Sequence, residues 1–172
     1  MDLPHDNVSN LSLNVDELPK ISQLQQQSLA PIYPKVRLAL TSIFFSVLLI
    51  IGGITLKQTI KPLPTSAVPI IEYILLVIAI VAIIEIVYIF FADRQKKYAL
   101  RELDLHFTSG LIFRKTVSQP ILRIQHVELK RGPIDRKVGL AKLQVFSAGG
   151  AMHTFEIPGL PIEEAESIRQ FI

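Results

Sequence analysis

The 172-residue sequence contains no cysteine and no tryptophan. Without cysteine it has no disulfide framework, no Cys-ligated zinc, no iron–sulfur cluster and no thiol nucleophile. Charge is scarce too: 19% of residues are Asp, Glu, Lys or Arg against 49% apolar, and the mean hydropathy is +0.40. A water-soluble domain of this length keeps a more polar surface than that composition supplies. Catalytic patterns are missing as well, with no Gly-x-Ser-x-Gly, Gly-rich phosphate loop, HExxH-like frame or paired carboxylates at a recognisable strand end. His5, His106, His126 and His153 stand apart from one another; the last three fall on expected strands and read as surface imidazoles, not metal ligands. No cofactor, metal or small-molecule substrate is expected, and the chain reads as a non-enzyme.

The apolar residues that are present are concentrated in two runs. Leu38 to Leu56 is 19 residues without a charge, and Ala67 to Ala92 is 26 residues carrying only Glu72 and Glu85. At about 1.5 Å per residue the first run covers roughly 28 Å, close to a hydrocarbon core of about 30 Å. The second fits Ile70 to Phe91, with Tyr73, Tyr88, Phe90 and Phe91 toward its ends, where interfacial aromatics gather. Residues 35–92 are therefore expected to form a transmembrane helical hairpin, with spans at 38–56 and 70–91. Residues 1–34 are polar, hold Pro4, Pro19, Pro31 and Pro34, and read as a disordered tail with at most one helical turn near Ile21 to Leu29. The acidic leader argues against a cleavable signal peptide. Lys35, Arg37, Arg94, Lys96, Lys97 and Arg101 flank the spans on one side, against Lys57 and Lys61 in the link. That asymmetry places both termini in the cytoplasm.

Residues 93–172 are then a cytoplasmic domain of mixed α+β character. Lys97 to Leu103, Leu105 to Ser109 and Leu111 to Val117 read as a meander of short strands. Ile124 to Lys130 and Lys142 to Ser147 alternate in period two, with Ile124, Val127, Leu129, Leu143 and Val145 inward. Gly149-Gly150 turns the chain into Met152 to Ile157. Pro161 to Ile172 has Ile162, Ala165, Ile168 and either Phe171 or Ile172 at helical spacing, with Glu163, Glu164 and Glu166 in its first turns, where the helix dipole favours acids. An antiparallel β-roll or barrel capped by a C-terminal helix follows.

The segments Ser118-Gln119-Pro120-Ile121-Leu122-Arg123-Ile124-Gln125 and Gly132-Pro133-Ile134-Asp135-Arg136-Lys137-Val138-Gly139-Leu140-Ala141, with Ser147-Ala148-Gly149-Gly150 and Pro158-Gly159-Leu160-Pro161, come in one order. In this the chain resembles the YdbS-like family of bacterial PH (pleckstrin homology) domain membrane proteins. The resemblance covers both spans and residues 93–172. It implies a PH-like domain on a two-span hairpin in the bacterial cytoplasmic membrane, and a related multi-PH-domain membrane protein, or self-association, as partner. Read from the residues alone, Gly132-Pro133 ends a strand and starts one helical turn, and Gly139 stops that turn in a left-handed conformation.

Two features are candidates for function. Between Arg94 and Lys142 there are 12 Lys and Arg against Glu102, Asp104, Glu128 and Asp135. Arg114, Lys115, Arg123, Lys130, Arg131, Arg136 and Lys137 are candidate contacts for lipid phosphate or an acidic partner, and Lys35, Arg37, Arg94, Lys96 and Lys97 are membrane-proximal. Nucleic acid is not expected, because no recognition helix or stacking aromatics accompany the charge. Inside the bilayer, Glu85 falls level with Ser42 and Ser46 when both spans are counted from the cytoplasmic side. Ser42, Ser46 and Gly53 share one helical face, a candidate close-packed interface. An intramembrane carboxylate is a functional candidate by its position. The competing readings are a binding domain held at the membrane and a transport subunit using Glu85. Glu72 falls level with Lys57, an expected interfacial ion pair.

Overall fold

The computed structural model describes residues 25–57, 64–147 and 155–172. His5 and His153, the Gly149-Gly150 turn and the start of the tail lie outside the described residues. Two 25-residue helices, α1 (Ile32–Leu56) and α2 (Val68–Ala92), are each long and apolar enough to cross a bilayer. Isoleucine, leucine and phenylalanine are exposed all around the pair, the signature of helices whose solvent is hydrocarbon. The shielded positions of α2 include Ile71, Leu75, Ile78, Ala82, Ile86 and Ile89, three and four residues apart, which keeps one seam facing α1. Across that seam Gly52 packs directly against the Leu75 side chain, which would have to shift to admit a Cβ there. The contact face of α1 runs through Ser42, Phe45, Leu49 and Gly52. It is turned away from the expected Ser42–Ser46–Gly53 face: Ser46 is exposed and Gly53 has open space beside it.

The rest of the chain forms two antiparallel sheets. The first has β1 (Gln27–Ser28), β2 (Lys97–Leu100), β3 (Asp104–Ser109) and β4 (Lys115–Pro120) in sequential order. The second has β5 (Ile124–Lys130), β6 (Leu140–Ser147) and β7 (Phe155–Pro161). A single turn, α3 (Pro133–Lys137), joins β5 to β6, and α4 (Ile162–Phe171) closes the domain. Among the described residues the sheets pair internally and not with each other, so the β component is a roll and not a closed barrel. Tyr98, Leu105 and Phe107 face Leu143, Val145, Phe155, Ile157 and Leu160 across the core, and Ala165 and Ile168 of α4 pack against them. Ile172, not Phe171, completes the helix's apolar stripe. Gly139 takes φ +72 at the end of α3, and Asp135 Oδ2 accepts from the Gly132 amide at 3.0 Å, as the Gly-Pro…Gly spacing requires.

Two expectations are corrected. The end of the polar tail belongs to the domain: Gln27 pairs with Tyr98 and Ser28 with Lys97, and Leu29 and Ala30 are buried. The chain from 27 to 30 thus covers an open sheet edge and adds two apolar residues to the core, and Gln27–Ser28 is strand, not helical turn. Leu111 to Arg114 are a turn, not the start of a strand. Gly110, at φ +100, brings the Phe113 carbonyl so close that a Cβ would lie 2.0 Å from it.

Tyr98 fastens these layers. Its hydroxyl reaches the Gln27 side-chain oxygen at 2.7 Å and the Glu164 carboxylate, both acceptors. Burial first, then the hydrogen bond and charge of Glu164, hold its pKa well above the usual tyrosine value. The unfolded chain loses this proton near pH 10 while the fold retains it, so the contribution is complete below about pH 10 and declines as pH rises beyond it. Tyr98→Phe is expected to lower stability by about 1–3 kcal/mol at neutral pH and to flatten the alkaline decline. Thermal unfolding of the detergent-solubilised chain between neutral pH and pH 11 checks both.

Candidate functional site at the hairpin base

Both membrane-length helices enter the domain without a linker. α1 begins in the domain at Ile32, and α2 continues through one tight turn, Asp93–Gln95, into Lys96 and β2. Where they meet, the Asp93 side chain is completely shielded, and its Oδ1 is held by Arg37 at 2.6 Å and Lys96 at 2.8 Å. Lys96 Nζ also donates to the Tyr33 hydroxyl at 3.3 Å. Tyr33 in turn lies on Gly159, whose φ is +65, and the Ala30 amide donates to the Gly159 carbonyl at 3.0 Å. This chain of contacts fixes both helix ends to the β7 end of the domain. A carboxylate shielded in this way is tolerated because a cation neutralises it through charge-assisted hydrogen bonds.

Arg37 and Lys96, expected to be membrane-proximal charges, are therefore partners of Asp93. Lys35, Arg94 and Lys97 remain exposed. The Arg94 guanidinium lies 3.9 Å from the Phe90 ring centroid, at the end of α2. Lys35, Arg94 and Lys96 line a cleft of about 410 Å³ whose apolar wall includes Leu38 and Phe90. A second cleft brings Arg114 of the β3–β4 turn beside Arg94 and Lys97.

A family described as the bacterial PH domain matches residues 38–172, which take in both apolar runs and everything that follows them. The chain belongs to the bacterial PH domain family. Among curated proteins, the UPF0699 transmembrane protein YdbS of Bacillus subtilis (strain 168) is 33% identical to it over 76 residues. The match takes in 44% of this chain and 46% of that protein, so the chain covers less than half of the relative's length. No solved structure matches it. The protein is a YdbS-like bacterial PH domain membrane protein, and α1 and α2 are its transmembrane helices.

The bacterial PH domain does not gather the other candidate cations into one pocket. Arg114 and Lys115 flank the β3–β4 turn, next to the helix ends. Lys130 lies opposite Lys142 on β6 and pairs with Glu128 at 3.8 Å, while Arg131 Nε donates to the Leu140 carbonyl at 3.1 Å. Arg136 and Lys137 are exposed on α3, whose Ile134 and Asp135 line a cleft with Val36 and Leu40 of α1. Arg123 stands at the opposite end of the first sheet, beyond β4.

Glu85 is exposed on the outer surface of the transmembrane pair and has no hydrogen-bond or ion-pair partner among the described residues. Ser42 and Ser46 do not reach it. The count from the domain-side ends sets depth, not azimuth, and the seam passes beside Glu85 instead of through it. Glu72 and Lys57 likewise form no ion pair among the described residues.

His106 departs from the surface reading. It is buried, with Nδ1 2.6 Å from Ser118 Oγ and Nε2 2.9 Å from Asp104 Oδ1. The three residue types suit nucleophilic catalysis, but Ser118 sits mid-strand, directly opposite His106, without the strained turn that exposes a serine nucleophile. With Thr108 and Thr116, 3.1 Å apart, it extends a polar cross-strand ladder. His126 stacks on Phe146 at 4.2 Å and remains exposed.

Proposed function

We propose that this protein is a non-catalytic subunit of a membrane complex, in which the hairpin mounts a binding domain on the cytoplasmic face of the bacterial inner membrane and its partner is a related PH-domain membrane protein or a second copy. The observation that carries the reading is Glu85. It lies about 10 Å inside the cytoplasmic end of α2, counting seven residues from Ala92 at about 1.5 Å each, exposed on the flank of the seam with α1. A carboxylate facing hydrocarbon is costly unless another helix supplies a donor. The linker-free mounting supports the same reading, because a domain fixed in height and rotation presents its surface to a membrane-bound neighbour with little entropy left to lose. Net positive charge on the domain adds attraction to an anionic leaflet.

Extraction of the full chain from native membranes in mild detergent, with co-purifying proteins and lipids identified by mass spectrometry, tests this. A stoichiometric membrane-protein partner, or a dimer, is expected, and Glu85→Leu is expected to lose it while still inserting. A monomer carrying only lipid, unchanged by Glu85→Leu, rules the reading out. A transport subunit is the second reading, since two helices enclose a path only with a partner. In that case Glu85→Gln abolishes transport but keeps the complex.

A further inference from the structure

We infer that the β3–β4 turn is a third membrane attachment, inserting Ile112 and Phe113 into the interfacial region of the leaflet from which α2 emerges. Phe113 is 90% exposed and Ile112 75%, adjacent at the tip of a turn. Water offers no reason for two such side chains to be placed there.

Their position identifies what covers them. β2 starts at Lys97, two residues after the turn that ends α2, and Lys97 pairs with Thr108. β3 therefore runs back toward the helix end, and its last pair, Ser109 with Lys115, leaves residues 110–114 projecting past Lys97. Gly110 and Arg114 share a cleft with Arg94 and Gln95, and Arg94 lies over Phe90. The tip is thus carried beside the last turn of a transmembrane helix. Basic residues surround it, namely Arg94, Lys97, Arg114 and Lys115, all exposed. An apolar tip with cationic shoulders is the chemistry of an interfacial anchor: the rings enter the headgroup and acyl boundary while the cations meet lipid phosphates. Gly110 gives the tip a fixed shape, because a Cβ there would collide with the Phe113 carbonyl. The opposite end of the same sheet supplies an internal contrast. Leu103 and Leu122 are also exposed, at 71% and 95%, and are tied together by the Ile121 amide donating to the Leu103 carbonyl at 2.9 Å, but they lie a strand's length from the helix ends.

This inference rests on the domain being seated against the leaflet, and the test separates the two. Because the chain has no tryptophan, single reporters are unambiguous: Phe113→Trp at the tip, Ile134→Trp on α3 beside α1 as the seating reporter, and Leu122→Trp at the far end. Each full-length variant is reconstituted in vesicles of phosphatidylglycerol and phosphatidylcholine, with and without lipids brominated near the headgroup. Phe113→Trp is expected to be blue-shifted and to lose most of its emission to the brominated lipids, and Leu122→Trp to keep its own. If Ile134→Trp is quenched while Phe113→Trp is not, insertion is overturned and seating stands. Loss of quenching at both overturns both. A blue-shifted Phe113→Trp that brominated lipid does not quench means that protein covers the tip, which also overturns the inference.

Discussion

Replacing Arg37 with Leu and Lys96 with Met together is expected to lower stability by about 3–5 kcal/mol, more than the two single replacements add up to. The Asp93 carboxylate has no exposed side-chain surface and takes both cations on Oδ1. Either cation alone leaves it neutralised, so each single variant retains one charge-assisted bond. With both removed, the carboxylate is stranded at the junction of two helices and a sheet. Adding Asp93→Asn to the double variant is expected to recover most of the loss, since it removes the stranded charge and keeps the shape. Arg37 is 40% exposed, and its surface share of the interaction is screened by water, which makes Arg37→Leu the milder single change. Thermal unfolding of the four variants in one detergent checks the pattern. Additive single effects, or no rescue by Asp93→Asn, would show that the cluster is not what holds the hairpin base.

This cluster also shows what the sequence can and cannot disclose. The period-two strands β5 and β6, the helical spacing of α4, the Gly-Pro…Gly turn and the two spans were all readable, because each depends on residues close together in the chain. The families of motifs around Pro120, Gly132 and Pro158 were readable by resemblance. Contacts that join distant segments were not. Arg37 and Asp93 are 56 residues apart, and nothing local distinguishes a lysine or arginine that sets topology from one that neutralises a buried acid. β1 escaped notice because a two-residue strand has no periodicity, although Leu29-Ala30 was an apolar pair in a polar tail. Leu111, Ile112 and Phe113 read as strand because apolar, β-branched and charged residues mix there as they do in strands, whereas here they occupy a tip. Glu85 was found from its depth alone, and its outward direction depended on a seam that Gly52 and Leu75 set.

Gly159→Val is expected to destabilise the domain by about 3 kcal/mol, with two separable causes. The backbone there lies at φ +65, which costs an L-residue about 1–2 kcal/mol and a β-branched one more. A Cβ would also lie 2.3 Å from Tyr33 Cγ, and overpacking of this kind typically adds about 1–3 kcal/mol. Tyr33→Ala in the same chain removes the ring but keeps the Tyr33 Cβ, 2.7 Å from the added Cβ, so it relieves part of the second cause and none of the first, and the double variant should recover part of the loss and no more. The consequences should reach the membrane junction. Tyr33 accepts from Lys96, and its ring stands on the strand whose Gly159 carbonyl takes the Ala30 amide, so pushing it away loosens the first turns of α1. Trypsin should then cut at Lys35 and Arg37 faster in Gly159→Val than in the parent chain, with cleavage at exposed Arg123 unchanged. Equal rates at all three sites would mean that Tyr33 moves without carrying α1, and that the helix is positioned by the Asp93 cluster alone.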